Sequence, residues 1–199
     1  MKIILVGASG TIGKAVVADL GERHDIIQAG RNGKDLAIDI TDPASIRSAL
    51  SSVGEFDALV STTGAVHFGA FEEMDAEKYE IGIRNKLMGQ VNLVLIGRDY
   101  ITDNGSFTLT TGVLSHDPIR YGSSAAMVNG AVDSFARSAA IEMPRGLRIN
   151  TVSPGVITEA LPNYAPYFRG FEPVPAAKAA RAYAKSVEGL QTGQVYAVQ

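Results

Sequence analysis

The amino-acid sequence predicts a single-domain, doubly wound α/β protein on a parallel sheet of about seven strands. Three observations carry this expectation. Short apolar runs rich in β-branched residues alternate with helix-like segments along the whole chain, the pattern of a parallel sheet covered on both faces. A glycine-rich turn, Gly7-Ala8-Ser9-Gly10-Thr11-Ile12-Gly13, joins the first run to the first helix. At 199 residues, 46% apolar and 20% charged, the chain is long enough for one full core and has ordinary globular composition.

Taken in order, Met1–Val6 is the first strand and Lys14–Leu20 the first helix. Asp25–Ala29 is the second strand and Asp35–Asp39 a weaker third. Thr41 or Asp42 caps the next helix, with Pro43 in its first turn, and that helix runs through Ile46 and Leu50. Asp57–Val60 is the fourth strand, followed by a long helix from about Asp75 to Leu95. Ser106–Thr110 is the fifth strand. A loop over Val113–Gly122 leads to a small-residue helix from Ser123 to Met143, which Pro144-Arg145-Gly146 stops. Leu147–Val152 is the sixth strand, 153–172 a loop with prolines and aromatics, Pro175–Glu188 a helix, and Gln194–Val198 the last strand.

Composition excludes several function classes. There is no cysteine, so disulfides, thiol catalysis and cysteine metal sites are out. Three scattered histidines (His24, His67, His116) do not suggest a metal cluster. A net charge of -3 argues against broad nucleic-acid or acidic-membrane binding. No apolar run reaches membrane-spanning length, and the apolar start is too short for a signal peptide. The expectation is a soluble cytoplasmic protein.

The glycine turn is a phosphate cradle. Glycine lets the backbone approach a ligand closely, and the helix start that follows offers unpaired N–H groups and a positive dipole end. In a sheet of this kind ligands bind beyond the C-terminal strand ends. Gly7–Gly13, Arg31-Asn32, Asp39-Ile40, Thr62-Thr63-Gly64, Thr110-Thr111 and Pro154-Gly155-Val156 all fall at such ends. The plain alternative is a tight turn without a ligand. Arg31 stands where an acid would hydrogen-bond the ribose of NAD. A guanidinium there suits the extra phosphate of NADP, with Ser9 adding a hydroxyl. Asp39 is either an acceptor for the adenine amino group or a plain turn former.

These segments together resemble the short-chain dehydrogenase/reductase family over nearly the full length of the chain, and hence a Rossmann-type fold. Asp39-Ile40-Thr41-Asp42 resembles its adenine-side motif. Ser61-Thr62-Thr63-Gly64 stands where the family usually has Asn-Asn-Ala-Gly. Arg148-Ile149-Asn150-Thr151-Val152-Ser153-Pro154-Gly155 is similar to the segment that reaches the nicotinamide, and Gln191-Thr192-Gly193-Gln194 resembles the entry to the last strand. The glycine spacing, G-x-x-G-x-x-G, departs mildly from the commoner G-x-x-x-G-x-G.

The resemblance implies hydride transfer by a Tyr, a Lys four residues later, a Ser after the fifth strand and a helical Asn. This sequence lacks all four. Ala125 falls at the Tyr position, Asn129 at the Lys position, Gly112 at the Ser position beside Thr111, and Lys86 at the Asn position.

Two accounts are open. In one the site is rebuilt, with Lys86 holding ribose hydroxyls, Thr110 or Thr111 replacing the Ser hydroxyl, and Tyr121 supplying the proton. In the other the chain binds NADP(H) without turnover, as a sensor or regulator. The aromatics of 159–171, a lid in the family, line either a ligand pocket or a contact surface. The family's pairing of helices equivalent to 123–143 implies a homodimer or homotetramer.

Overall fold

A computed structural model describes residues 1–199. Seven strands, all parallel, form one sheet in the order β3-β2-β1-β4-β5-β6-β7. They are β1 (Lys2–Val6), β2 (Asp25–Gly30), β3 (Leu36–Ala37), β4 (Phe56–Ser61), β5 (Ile101–Thr110), β6 (Arg148–Pro154) and β7 (Val195–Val198). The chain runs outward from β1 in one direction through β3, then returns to continue from β4 in the other. The crevice of such a sheet opens at that reversal, between the ends of β1 and β4.

Alternation along each strand sorts the two faces. Ile4 and Val6 join Leu59, Phe107, Leu109 and Ile149 in a core covered by α2 (Pro43–Val53), α4 (Met88–Gly97) and α5 (Ser123–Glu142). Ile3 and Leu5 join Ala58, Val60 and Val152 on the opposite face, under α1 (Thr11–Leu20) and α7 (Ala176–Glu188). Ala176, Ala179, Ala180, Tyr183, Ala184 and Val187 of α7 are all buried. That spacing is a single helical stripe of mainly alanine, which lets α7 lie close to the sheet. No helix is long and apolar enough to cross a membrane.

Several boundaries differ from expectation. The third strand keeps only Leu36 and Ala37. Beyond them the Asp39 carboxylate accepts from Thr41 N (2.9 Å) and Thr41 Oγ1 (2.7 Å), a local turn that competes with sheet pairing. Asp42, not Thr41, caps α2, accepting from Ala44 N at 2.8 Å. The long helix expected over Asp75–Leu95 is broken. α3 (Ala76–Gly82) ends in one wide π turn, Ile83–Leu87, before α4 begins. The stretch 153–172 is not wholly irregular, since it holds a 3₁₀ turn at Thr158–Ala160 and the four-residue α6 (Leu161–Tyr164).

Candidate active site

The strand ends line one trough along the C-terminal edge of the sheet. Its first half, about 420 Å³, is lined by Gly7, Ser9, Gly10, Arg31, Asp39 and Ile40. Its second, about 440 Å³, is lined by Ile12, Lys86, Thr110, Thr111, Pro154 and Gly155. Thr62, Thr63 and Gly64 line both halves and join them. Of the sequence-predicted residues, Thr11, Gly13, Val156 and Tyr121 line neither half. Thr11 opens α1 and Val156 is buried beside the trough.

The glycine turn is shaped by close approach. Gly7 has φ +90°, and a methyl added there would sit 2.9 Å from Thr62 Oγ1. Thr62 closes this contact by donating its hydroxyl to the carbonyls of Val6 (3.2 Å) and Gly7 (3.1 Å). Gly13 is buried in α1, where any side chain would strike the Gly7 carbonyl, so its role is to seat the helix on the turn. α1 has no side-chain cap and no acid in its first turn. Its first N–H groups therefore remain as donors at the mouth of the first half.

Arg31 follows β2 on the rim and is exposed, with no ion-pair partner. The Asp39 carboxyl is held below the usual carboxylate range, first by the Thr41 hydroxyl and backbone N–H and last by the charge of Arg31.

The second half is built around Lys86. The wide turn carries it over Gly64, whose φ is +143° and where a methyl would lie 2.6 Å from Lys86 Cγ. Lys86 Nζ donates to the Thr111 carbonyl at 3.3 Å. Burial pushes the amine down to about 8, against an opposing pull from the Asp133 carboxylate. Asp133 is buried on α5 and accepts from Thr151 Oγ1 (2.7 Å) and Ser115 Oγ (3.2 Å). One turn earlier, Asn129 lines the trough with its Oδ1 buried and without a hydrogen-bond partner.

The two threonines part company. Thr110 Oγ1 is 2.5 Å from both the Ser61 carbonyl and the Tyr183 hydroxyl, so it is spent on the α7 side of the sheet. Burial raises the Tyr183 phenol, which stays protonated and serves this bond. Thr111 Oγ1 has only a long 3.5 Å contact with the Val152 carbonyl. Its hydroxyl is the less engaged of the two.

Gln90 was not singled out by its sequence. It is fully buried, donates to the carbonyls of Lys86 (3.0 Å) and Thr110 (2.9 Å), and accepts from Thr110 N (2.8 Å). It clasps the wide turn to the end of β5. The sequence marks it weakly, as one of two amides, with Asn92, in the run Gly89–Leu93. Asn85 likewise accepts from Ala65 N at 2.7 Å and steadies the strand-end loop.

A model of the family described as enoyl-(acyl carrier protein) reductase matches residues 8–195. The chain belongs to the short-chain dehydrogenase/reductase family. It is 32% identical over 184 residues to the 3-oxoacyl-[acyl-carrier-protein] reductase FabG of Vibrio cholerae, covering 78% of this chain and 73% of that one. It is 29% identical over 160 residues to the 2,5-dichloro-2,5-cyclohexadiene-1,4-diol dehydrogenase LinX of Sphingobium indicum, with 71% of this chain covered but only 62% of that relative. Among solved structures, the protein lin1944 from Listeria innocua matches over 100% of both chains at 55% identity and TM-score 0.99. A small-chain dehydrogenase in complex with NADPH matches at TM-score 0.88 and 24% identity, over 100% of this chain and 96% of that one, a likeness of fold.

As a short-chain dehydrogenase/reductase the chain has an unusual second half. Lys86, Gly112, Ala125 and Asn129, the four residues that the family resemblance singles out, line the same cleft. Tyr121 is held apart from them. It has φ +68°, its ring lies edge-on to Tyr167 at 5.7 Å, and it lines an adjoining cavity with Phe68 and Tyr164. Its placement gives no support to the expectation that it delivers a proton beside Thr111.

Proposed function

We propose that this chain is an NADP-dependent oxidoreductase acting on a carbonyl or alcohol, with Lys86 as the proton-carrying group of a rebuilt site. The observation that carries this reading is a half-buried lysine amine of lowered pKa beside the weakly bonded Thr111 hydroxyl at the inner end of a cofactor-shaped trough. A group poised near neutral pH is what proton transfer needs.

The residues present fit the cofactor. The Gly7 cradle and the uncapped start of α1, including the N–H groups of Thr11 and Ile12, suit a pyrophosphate. Arg31, without an acidic partner, and Ser9 suit the 2′-phosphate, and Asp39 with Ile40 the adenine. Thr62, Thr63 and Gly64 floor the middle, and Pro154 and Gly155, backed by the buried Val156, the nicotinamide end. The orphaned Asn129 Oδ1 offers an acceptor there. When bound, the cofactor supplies or takes the hydride. Lys86 Nζ gives the proton to the carbonyl oxygen as the C–H bond forms, and is recharged from solvent. Thr111 Oγ1 donates to the same oxygen and orients it. Ala125, where the family has its tyrosine, instead favours a cofactor-binding protein without turnover.

NADPH oxidation across a carbonyl panel, with NADPH binding measured in parallel by fluorescence, separates the two. The expectation is turnover that falls about 100-fold or more in Lys86→Met, the usual contribution of an acid–base group, with binding retained. Binding without turnover on any carbonyl would establish the silent reading. A homodimer or homotetramer belongs to the same proposal. Met88 and Leu95 of α4 and Met127 of α5 are exposed and available for pairing, and light scattering of the purified chain tests it.

A further inference from the structure

We propose that the cavity beside the Lys86 cleft selects planar aromatic carbonyl compounds that carry a neutral ring hydroxyl. This rests on the oxidoreductase reading for its chemistry, not for its geometry. Three chain segments build the cavity, about 360 Å³, from Phe68, Ile119, Arg120, Tyr121, Tyr164 and Tyr167, and its polar lining includes Glu73 and Asn163. That space holds one or two fused rings.

The walls are aromatic in an unusual way. Phe68 is 40% exposed, Tyr164 39% and Tyr167 44%, so these rings face water across the cavity instead of filling a core. Several exposed rings converging on one concavity mark a binding surface. Tyr121 and Tyr167 meet edge-on at 71°, and Phe68 and Tyr164 are tilted at 55°. Walls set at such angles offer both faces and edges to an inserted ring, the arrangement aromatic pairs prefer. A saturated ring of the same size buries as much area but gains none of this preference.

Charge narrows the choice. The Arg120 guanidinium lies 4.8 Å from the Tyr121 ring centroid and has no carboxylate partner. The Glu73 carboxylate, also lining the cavity, is likewise unpaired. A charged substituent would meet one of these with the wrong sign. A phenolic hydroxyl can donate to Glu73 and accept from Arg120. Phe68 and Tyr164 line the Lys86 cleft as well, so the cavity and the cleft share a wall and a ring held between the tyrosines lies next to the cleft that holds Lys86 and Thr111. In the reduction the carbonyl carbon gains hydride from the reduced cofactor, which is oxidised, and the oxygen gains a proton from Lys86.

The test pairs 4-hydroxybenzaldehyde with 4-hydroxycyclohexanecarbaldehyde, and adds benzaldehyde and hexanal, on the full chain in mildly acidic buffer that keeps the phenol protonated. Dissociation constants are measured by ligand-observed NMR with and without NADP⁺, and NADPH binding is measured in the same samples. The expected result is a preference of about three- to tenfold for the aromatic aldehyde over its saturated twin, the range an aromatic pair supplies. Tyr167→Leu, which keeps bulk and apolarity, should erase that preference while leaving NADPH affinity unchanged. Arg120→Gln should reduce only the advantage of 4-hydroxybenzaldehyde over benzaldehyde. Equal binding of the twins, a preference for hexanal, or a preference that survives Tyr167→Leu overturns the proposal. Aromatic preference with no NADPH binding leaves the cavity assignment standing and removes the oxidoreductase reading.

Discussion

Replacing Lys86 by methionine should stabilise the protein at neutral pH, and by an amount that disappears in alkali. The wild-type fold carries the cost of housing an ammonium where burial lowers its pKa from 10.5 to about 8. A fully enclosed group would lose about 3 kcal/mol by that difference. Lys86 keeps some exposure, so the expected gain is about 1–2 kcal/mol. The sign follows from proton counting. Below pH 8 the lysine is charged in both folded and unfolded chains, and the whole cost is present. Between about 8 and 10.5 the unfolded chain binds more protons, so wild-type stability rises with pH relative to the variant. Above that range both states are neutral and the difference attributable to charge is gone. Urea midpoints of both proteins at pH 7 and pH 10 measure it. Comparing the two pH values cancels every pH-independent effect of the methionine. A gap of the same size at both would refute the buried-amine argument, and with it the basis for assigning Lys86 the proton.

Gln90→Leu should cost about 3–5 kcal/mol in urea unfolding, because near-isosteric replacement leaves Thr110 N, Thr110 O and the Lys86 carbonyl without their partner. A loss under 1 kcal/mol would show that the clasp is replaceable. Arg31→Ala should weaken NADPH binding about 10- to 100-fold, the worth of charge-assisted bonds to a phosphate, and leave NADH binding unchanged. Equal effects on both cofactors would remove Arg31 from the phosphate site. Gly7→Ala should lower stability by about 2 kcal/mol or more and also abolish cofactor binding, since it combines positive φ with a methyl 2.9 Å from Thr62 Oγ1. Thermal unfolding with and without NADPH checks both parts.

The half of the trough near β1–β4 was legible in the sequence because its signals are local. Glycine spacing, a strand before and a helix after are read within a dozen residues, and Arg31 and Asp39 sit where the next strands end. The alternation of strands and helices was legible for the same reason, apart from the break within Asp75–Leu95. The inner half was not legible in the same way. Lys86, Thr111, Asn129 and Gln90 come from four separate elements and meet only through packing. Nothing in a helix-periodic run from Asp75 to Leu95 announces a π turn, because the turn is fixed by what it touches: Gly64 beneath Lys86, Ala65 on Asn85, and the end of β5 on Gln90. Thr110 and Thr111 look equivalent as neighbours in a chain. Only the face that each presents to α7 or to the trough separates them.

The wide turn at Ile83–Leu87 has a consequence for how this protein tolerates insertions and deletions. Removing one residue there would let α3 and α4 fuse into a single regular helix, improving the backbone ladder. The flanking segments would keep nearly the same phase, because the wide turn already absorbs the extra residue, but the side chains within the turn would be redistributed, each about 100° from the next. Lys86 would swing off Gly64, and Asn85 would lose Ala65. Such a deletion could leave a protein that is more helical and has no working site, so an assay of secondary structure would score as an improvement what an assay of binding would score as a loss.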